Sequence, residues 1–189
     1  VTQAQPTGTT SAEATQYILR CLSTILAEDR SREIQQTVDI VTSAKKLFVY
    51  GVGRSGLAAR AFAMRMVQLG LECFFIGETI TPVVSEGDAV LIVSNTGSTA
   101  SAVQVANIAR RVGAKVISVT GGRSSKLAHA SNVVLHIPTN GDPQRPRLAP
   151  LGTLFENASL ILLDAVVAEI MVRLGQTEAD MRTRHAIMV

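Results

Sequence analysis

The sequence predicts an α/β fold: a five-stranded parallel sheet flanked by helices in a three-layer sandwich, with two helices ahead of the first strand and a long helix near the C-terminal end. Three observations carry this. Short apolar runs alternate with amphipathic segments from Lys46 to Ile137, the order that builds a parallel sheet with right-handed crossovers. Ala89–Val93 is aliphatic throughout, as a strand covered on both faces must be. Glycine-bearing loops follow the first and third runs, at the strand ends where ligands sit in such sheets. At 189 residues the chain is one domain on length, able to bury about 70% of its unfolded surface. Its core is placed at about 31–174, with 1–10 frayed and 175–189 as a C-terminal extension.

The N-terminal residues are rich in Thr, Gln, Pro and Gly. A helix is expected from Ser11, where Tyr17, Ile18, Cys21, Leu22, Ile25 and Leu26 recur at three-to-four spacing. A second runs over Ser31–Ser43 with Ile34, Val38 and Val41 inward. Both precede any strand, so they lean on a sheet built later in the chain or on another subunit. Lys46–Tyr50 is the first strand. Gly56–Leu69 is helical, with Leu57, Ala61, Met64 and Val67 as its apolar side and Gly70 as its stop. Glu72–Ile76 and Ala89–Val93 are the next strands, joined by the loop Gly77–Gly87. Thr99–Val112 is a helix closed by Gly113, Lys115–Val119 a strand, Ser124–Ala130 a short helix and Asn132–Ile137 the fifth strand. Pro138–Pro150, with prolines at 138, 143, 146 and 150 and little else apolar, is a surface loop. Leu151–Leu174 is one long helix broken by Gly175, and Glu178–His185 a last short helical piece.

Composition narrows the function. Lys plus Arg total 18 against 15 for Asp plus Glu. The excess is small and dispersed, which argues against nucleic acid and suits an anionic metabolite. Aromatics are scarce and Trp is absent, so base-stacking platforms are excluded. Cys21 and Cys73 show no CxxC or Cys/His ligand spacing. They read as buried thiols of a reducing cytosol, with no metal site. No apolar leader is visible at the N-terminus. The most apolar stretch, Ala158–Leu174, is interrupted by Asp164, Glu169 and Arg173 and falls short of the ~20 uninterrupted residues of a membrane span. A cytoplasmic protein without membrane partners is expected.

Two loops carry the chemistry. Gly51-Val52-Gly53-Arg54-Ser55-Gly56 follows a strand and opens a helix. Glycines there leave backbone N–H groups uncovered at a positive helix end, which is an anion site. The run satisfies G-x-G-x-x-G, and Glu78 stands at the spacing of a ribose-binding carboxylate, so a dinucleotide reading is open. Against it, a cation and a hydroxyl, Arg54 and Ser55, fill positions where a dinucleotide needs close backbone approach. The second loop, Ser94-Asn95-Thr96-Gly97-Ser98-Thr99, sets four hydroxyls around a glycine at a helix start. That suits a phosphate monoester; the plain alternative is helix capping by Ser98 or Thr99.

Several stretches resemble the 6-phospho-3-hexuloisomerase family of the sugar-isomerase (SIS) domain superfamily. They are Val49–Gly56, Gly77-Glu78-Thr79 with Thr81-Pro82, Glu86-Gly87-Asp88 before the third strand, and the hydroxyl loop. Leu151-Gly152-Thr153-Leu154-Phe155-Glu156 and Arg184-His185-Ala186 complete the set. The resemblance spans about Lys46 to Ala186. The two loops mark only the superfamily; the Leu151–Glu156 segment with the terminal Arg-His-Ala is closer to specific for the isomerase. It implies a single SIS domain over 1–189, flavodoxin/Rossmann-like in its sheet. Two departures stand out. The hydroxyl loop of the family reads Ser-Gly-Ser-Gly where this chain has Ser94-Asn95-Thr96-Gly97, so Asn95 replaces a glycine's backbone freedom. The family tail Asn-Leu-Glu is replaced by Ile187-Met188-Val189.

The resemblance implies interconversion of D-arabino-hex-3-ulose 6-phosphate and fructose 6-phosphate through an enediol, with no metal and no redox cofactor. Glu156, beside Phe155 and Leu154, is the implied base, made more basic if partly desolvated. His185 is the implied proton shuttle, in its own or a neighbouring subunit's site. Gly53, Arg54, Ser55, Ser94, Asn95, Thr96, Gly97, Ser98 and Thr99 are the implied substrate and phosphate contacts, and His129 and His136 are read as structural. Leu160–Leu163, Val166, Val167, Ile170 and Met171 exceed one core face, so the long helix is expected at a subunit interface. The family implies a tetramer, with the hexulose-phosphate synthase of the same pathway as a further partner. A non-catalytic sugar-phosphate sensor of the same fold and a nucleotide-dependent oxidoreductase are the competing readings.

Overall fold

A computed structural model describes residues 9–139 and 141–187. Of the end expected to fray, 1–10, residues 1–8 lie outside them, as do Met188 and Val189, while Thr9 is not frayed but caps the first helix, which begins at Thr10. Five strands, β1 (Leu47–Gly51), β2 (Cys73–Phe75), β3 (Ala89–Val93), β4 (Lys115–Thr120) and β5 (Val133–His136), form one parallel sheet in the order β2-β1-β3-β4-β5. Its central strand, β3, is fully buried. The order reverses between β1 and β3, the point where open α/β sheets leave a crevice at their carboxyl ends.

Helices cover both faces. α2 (Ser31–Ser43), α3 (Arg54–Gln68) and α7 (Thr153–Leu174) share one core with Leu47, Val49, Leu91, Val93, Ile117 and Val119. α4 (Ala100–Arg111) and α5 (Lys126–His129) cover the other with Phe48, Val90, Ile92 and Val116. α1 (Thr10–Leu26) lies outside this layer, against α7 and against α6 (Arg145–Leu148). α8 (Glu178–Thr183) packs on α3. The early helices thus lean on later elements of the same chain.

Three expectations are corrected. The buried face of α3 is Ala58, Ala59, Phe62 and Met66, while Leu57, Met64 and Val67 are 64%, 53% and 48% exposed. Apolar residues nearly encircle this helix, and the side that meets the sheet is chosen by size. Small residues there let α3 approach β1 closely enough for Gly51 and Gly56 to touch. The proline-rich segment is not all surface loop. Pro146 falls in the first turn of α6, where its fixed φ suits a helix, and Leu148 and Ala149 are buried with Tyr17 and Leu154. The apolar girth of α7 is mostly absorbed within the chain: Leu162, Leu163, Val166, Val167 and Ile170 are buried, leaving Leu160, Ile161 and Val172 38%, 46% and 80% exposed. α1, α2 and α3 provide that cover.

Candidate active site

The loop after β1 shows what its glycines do. A Cβ on Gly51 would stand 2.8 Å from Gly56 N, and one on Gly56 2.5 Å from Gly51 O. Gly53 has φ +59°, with nothing within 4 Å of where its Cβ would be. Gly51 and Gly56 therefore serve strand–helix packing, and Gly53 makes the turn beside open space. Behind the loop after β3, Gly97 has φ +60°, and a Cβ there would meet Ser125 Oγ at 2.1 Å. Its N–H donates to Ser94 O at 3.2 Å and its carbonyl accepts from Leu127 N at 3.0 Å, so it shapes the loop and has no free backbone group for a ligand.

The sheet order brings the two loops together. Val52 and Ser55 from the first and Ser94, Asn95, Thr96 and Thr99 from the second enclose a cavity of about 130 Å³. This is small against the ~300–1,000 Å³ of cavities that enclose whole ligands, and it suits one anionic group. No side chain caps either α3 or α4. The Thr99 hydroxyl instead accepts from Ser94 Oγ at 3.3 Å. Capping therefore does not account for the hydroxyls, and two positive helix ends converge here from opposite faces of the sheet.

Two expected contacts fall elsewhere. Ser98 donates to Thr96 Oγ1 at 2.9 Å and lines a separate hollow along α4. Arg54 turns to the other side of α3, where its Nε donates to Glu156 Oε2. Asn95 does not adopt a left-handed backbone; among the described non-glycine residues only Leu151 does. The substitution of Asn for glycine thus costs no strain. Asn95 instead ties the loop down, its carbonyl accepting from Gly121 N at 2.9 Å and its side chain from Thr139 Oγ1 at 3.4 Å.

Glu156 lies in the first turn of α7 with its side chain 15% exposed. With Arg54, Leu57, Ala61, Asn157 and Leu160 it lines a second cavity of about 210 Å³. Its carboxylate has room because residue 152 is glycine: a Cβ there would meet Glu156 Oε1 at 2.6 Å. Ser55 and Arg54, adjacent at the start of α3, thus line two different hollows, one rich in hydroxyls and one holding a carboxylate against an apolar wall. Neither the Gly152 contact nor the Arg54–Glu156 pair was expected from the sequence; the glycine within Leu151–Glu156 was the available signal for the first.

His185 is not brought to this place within the chain. Beside it, Arg184 donates to Gln68 O at 3.2 Å, at the last turn of α3. Glu156 meets the first turn of α3, and that helix is about 22 Å long at 1.5 Å per residue. Glu78 is engaged by Arg60, whose guanidinium stacks 3.6 Å over the Phe75 ring, so the carboxylate of the dinucleotide reading is already paired. His136 is structural: Nδ1 accepts from Arg123 Nε at 3.1 Å and Nε2 donates to Gly121 O at 3.1 Å. Burial first, then Arg123, holds its pKa below the ordinary value. Cys21 and Cys73 are free and half-buried, and burial pushes the Cys73 thiol up to about 12. Among the described residues no cluster of His, Cys, Asp and Glu is arranged to hold a metal, and no helix is long and apolar enough to cross a membrane.

Comparison with known proteins gives the family. A family model of the SIS domain matches residues 40–166. An uncharacterised protein of Archaeoglobus fulgidus is 40% identical over 159 residues, 82% of this chain and 87% of the relative. A 3-hexulose-6-phosphate isomerase of Methanocaldococcus jannaschii is 36% identical over 162 residues, 84% of this chain and 85% of the relative. A solved Methanococcus jannaschii structure, from which that isomerase function was inferred, superposes with TM-score 0.80 at 32% identity, covering 93% of this chain and 97% of its own.

Proposed function

The chain belongs to the SIS domain family, and we propose that it is a sugar-phosphate isomerase interconverting D-arabino-hex-3-ulose 6-phosphate and fructose 6-phosphate. The observation that carries this reading is the hydroxyl-lined hollow at the sheet's switch point, with the next residue of α3, Arg54, lining a second hollow that holds Glu156. The phosphate sits among Ser55, Ser94, Thr96 and Thr99 at the two uncapped helix ends, with Gly53 keeping the approach open. The sugar extends past Arg54 toward Glu156. The Glu156 carboxylate takes the C2 proton, leaving an enediolate across C2 and C3, and the same proton returns at C3. The O2 hydroxyl loses its proton as O3 gains one, so the carbonyl moves from C3 to C2 with all atoms conserved. Arg54, already on the carboxylate, is within reach of the sugar oxygens whose charge develops.

His185 enters this scheme as the oxygen-proton shuttle of a neighbouring copy, because within one chain it lies at the wrong end of α3. A homo-oligomer, a tetramer in this reading, covers the exposed stripe of Leu57, Met64 and Val67 and completes the site. The hexulose-phosphate synthase that makes the substrate is a natural partner, and formaldehyde fixation or pentose supply the pathway.

A coupled assay tests the activity: the protein is given the hexulose phosphate and fructose 6-phosphate is measured. Turnover is expected, and Glu156→Gln is expected to abolish it while fructose 6-phosphate still binds within a few-fold of the parent. Binding without turnover by the unaltered protein would leave a sensor and refute the isomerase. Sedimentation as a monomer at micromolar concentration would remove the shared role of His185.

A further inference from the structure

The segment ahead of Glu156 holds a strained residue. Leu151 has φ +57° and is 88% exposed. A side chain is costly in that region of the backbone, and at this exposure almost nothing of the described chain packs on Leu151 to hold it there. The turn is held through its carbonyls instead. Thr153 donates to Pro150 O through N at 3.2 Å and through Oγ1 at 2.7 Å. Arg145 Nη1, reaching across from α6, donates to Leu151 O at 2.7 Å. Arg145 is half-buried, and its Nε–H donor is buried without a partner, a cost borne in this position. One residue later Gly152 begins α7, accepting from Glu156 N at 2.9 Å and lying against the carboxylate of Glu156. The clamp, the left-handed turn and the carboxylate are consecutive links in one short chain of contacts.

We propose that Arg145 is a positioning residue for Glu156: it holds the strained Leu151 turn, and through it the start of α7 and the direction of the Glu156 carboxylate. Strain retained beside a reacting group is a means of fixing its geometry. The inference rests on the reading of Glu156 as the base, and it makes the four-residue helix α6 a brace of the site. Arg145 itself touches no substrate.

A double-mutant cycle tests it. Arg145→Ala releases the clamp and is expected to lower kcat roughly 10–100-fold with KM within about twofold, because a misaimed base loses transition-state contact more than ground-state binding. Arg145→Lys keeps one donor and is expected to recover part of kcat. Leu151→Gly removes the strain, since glycine enters the left-handed region freely; it is expected to raise Tm by a few degrees and leave kcat within a few-fold. In Arg145→Ala/Leu151→Gly the turn no longer needs the clamp, so most of the lost kcat returns. Additive effects in the double variant, or unchanged kcat in Arg145→Ala, would overturn the inference. If Arg145→Ala does not fold, Arg145→Lys against Arg145→Lys/Leu151→Gly carries the same comparison. Failure of the underlying reading is distinguishable: turnover by Glu156→Gln removes the base, whereas inactive Glu156→Gln with full activity in Arg145→Ala removes only the clamp. The Tm of Leu151→Gly tests the strain with no reference to activity.

Discussion

Gly97→Ala is the substitution whose cost is most directly worked from the structure. The backbone there has φ +60°, and the added methyl would lie 2.1 Å from Ser125 Oγ, 2.6 Å from Ser125 Cβ and 2.8 Å from Thr120 Oγ1. Two costs add: about 1–2 kcal/mol for a side chain in the left-handed region and about 1–3 kcal/mol for overpacking. The sum, about 2–5 kcal/mol, corresponds to a fall in Tm of about 4–20 °C for a chain of this length. Thermal melts followed by circular dichroism at fixed protein concentration measure it. Ser125→Gly separates the two contributions. It removes the colliding side chain and loses only the cap that Ser125 Oγ provides to Ala128 N at 3.2 Å, worth a few tenths of a kcal/mol on exchange for glycine. In Gly97→Ala/Ser125→Gly the part of the overpacking due to Ser125 should return, while the backbone part and the contact with Thr120 Oγ1 remain. A Gly97→Ala protein within about 1 kcal/mol of the parent would show that the loop relaxes freely, and the account of Gly97 as its fixed pivot would fail.

The other predictions concern ligand and pH. Ser94→Ala and Thr99→Val each remove a hydroxyl at the anion cavity and should weaken fructose 6-phosphate and inorganic phosphate roughly 10-fold or more, measured calorimetrically, since hydrogen bonds to charged groups are worth about 1.5–3 kcal/mol; equal loss for unphosphorylated fructose would argue that the cavity does not hold phosphate. His136 gives a signed pH effect. Its folded pKa lies below 6.5 through burial and Arg123, so between those values the unfolded chain binds more protons, and stability falls as pH drops from about 6.5 toward the folded pKa. Urea midpoints at pH 7.5 and 5.5 should show the fall, and His136→Gln should flatten it; an unchanged slope in the variant would assign the effect to other groups.

Much of the fold was legible because burial on both faces of a parallel sheet writes aliphatic runs that need no context, as in Ala89–Val93. The glycine stops worked for the same local reason: Gly70, Gly113 and Gly175 all have positive φ beyond helix ends. What failed depended on size or distance. Hydrophobicity alone picked Leu57, Met64 and Val67 for the inner face of α3, whereas close approach to β1 selects Ala58 and Ala59. The buried pair Leu148 and Ala149 was hidden by surrounding prolines. In the site, the cluster of hydroxyls after β3 was readable from composition. That Gly97 is spent on packing and Ser98 faces away depends on Ser125 and Thr120, which belong to other elements. The Arg54–Glu156 pair joins residues 102 positions apart, and no local pattern announces it.

The sheet order gives a physical reason why, in the proposed function, a glycine loop that also fits a dinucleotide takes a sugar phosphate instead. In a sheet running β2-β1-β3-β4-β5, the loops after β1 and β3 are neighbours, and α3 and α4 leave them for opposite faces. Their N-termini then point at one small cavity, so positive potential is concentrated on a single group instead of spread along a crevice. α3 presents Ser55 to that cavity and Arg54 to the hollow of Glu156, and in the proposed function a ligand is anchored by its anion at the first and extends past Arg54 toward the second. A hexulose 6-phosphate meets that demand, with its phosphate at one end and its reacting carbons toward the other. In the dinucleotide reading, Glu78 would have to leave Arg60 and the Phe75 stack. The distinction rests on what holds each partner: Arg60, which pairs with Glu78, is also stacked on the Phe75 ring, whereas Arg54, the partner of Glu156, is 63% exposed and in the proposed function turns to the sugar.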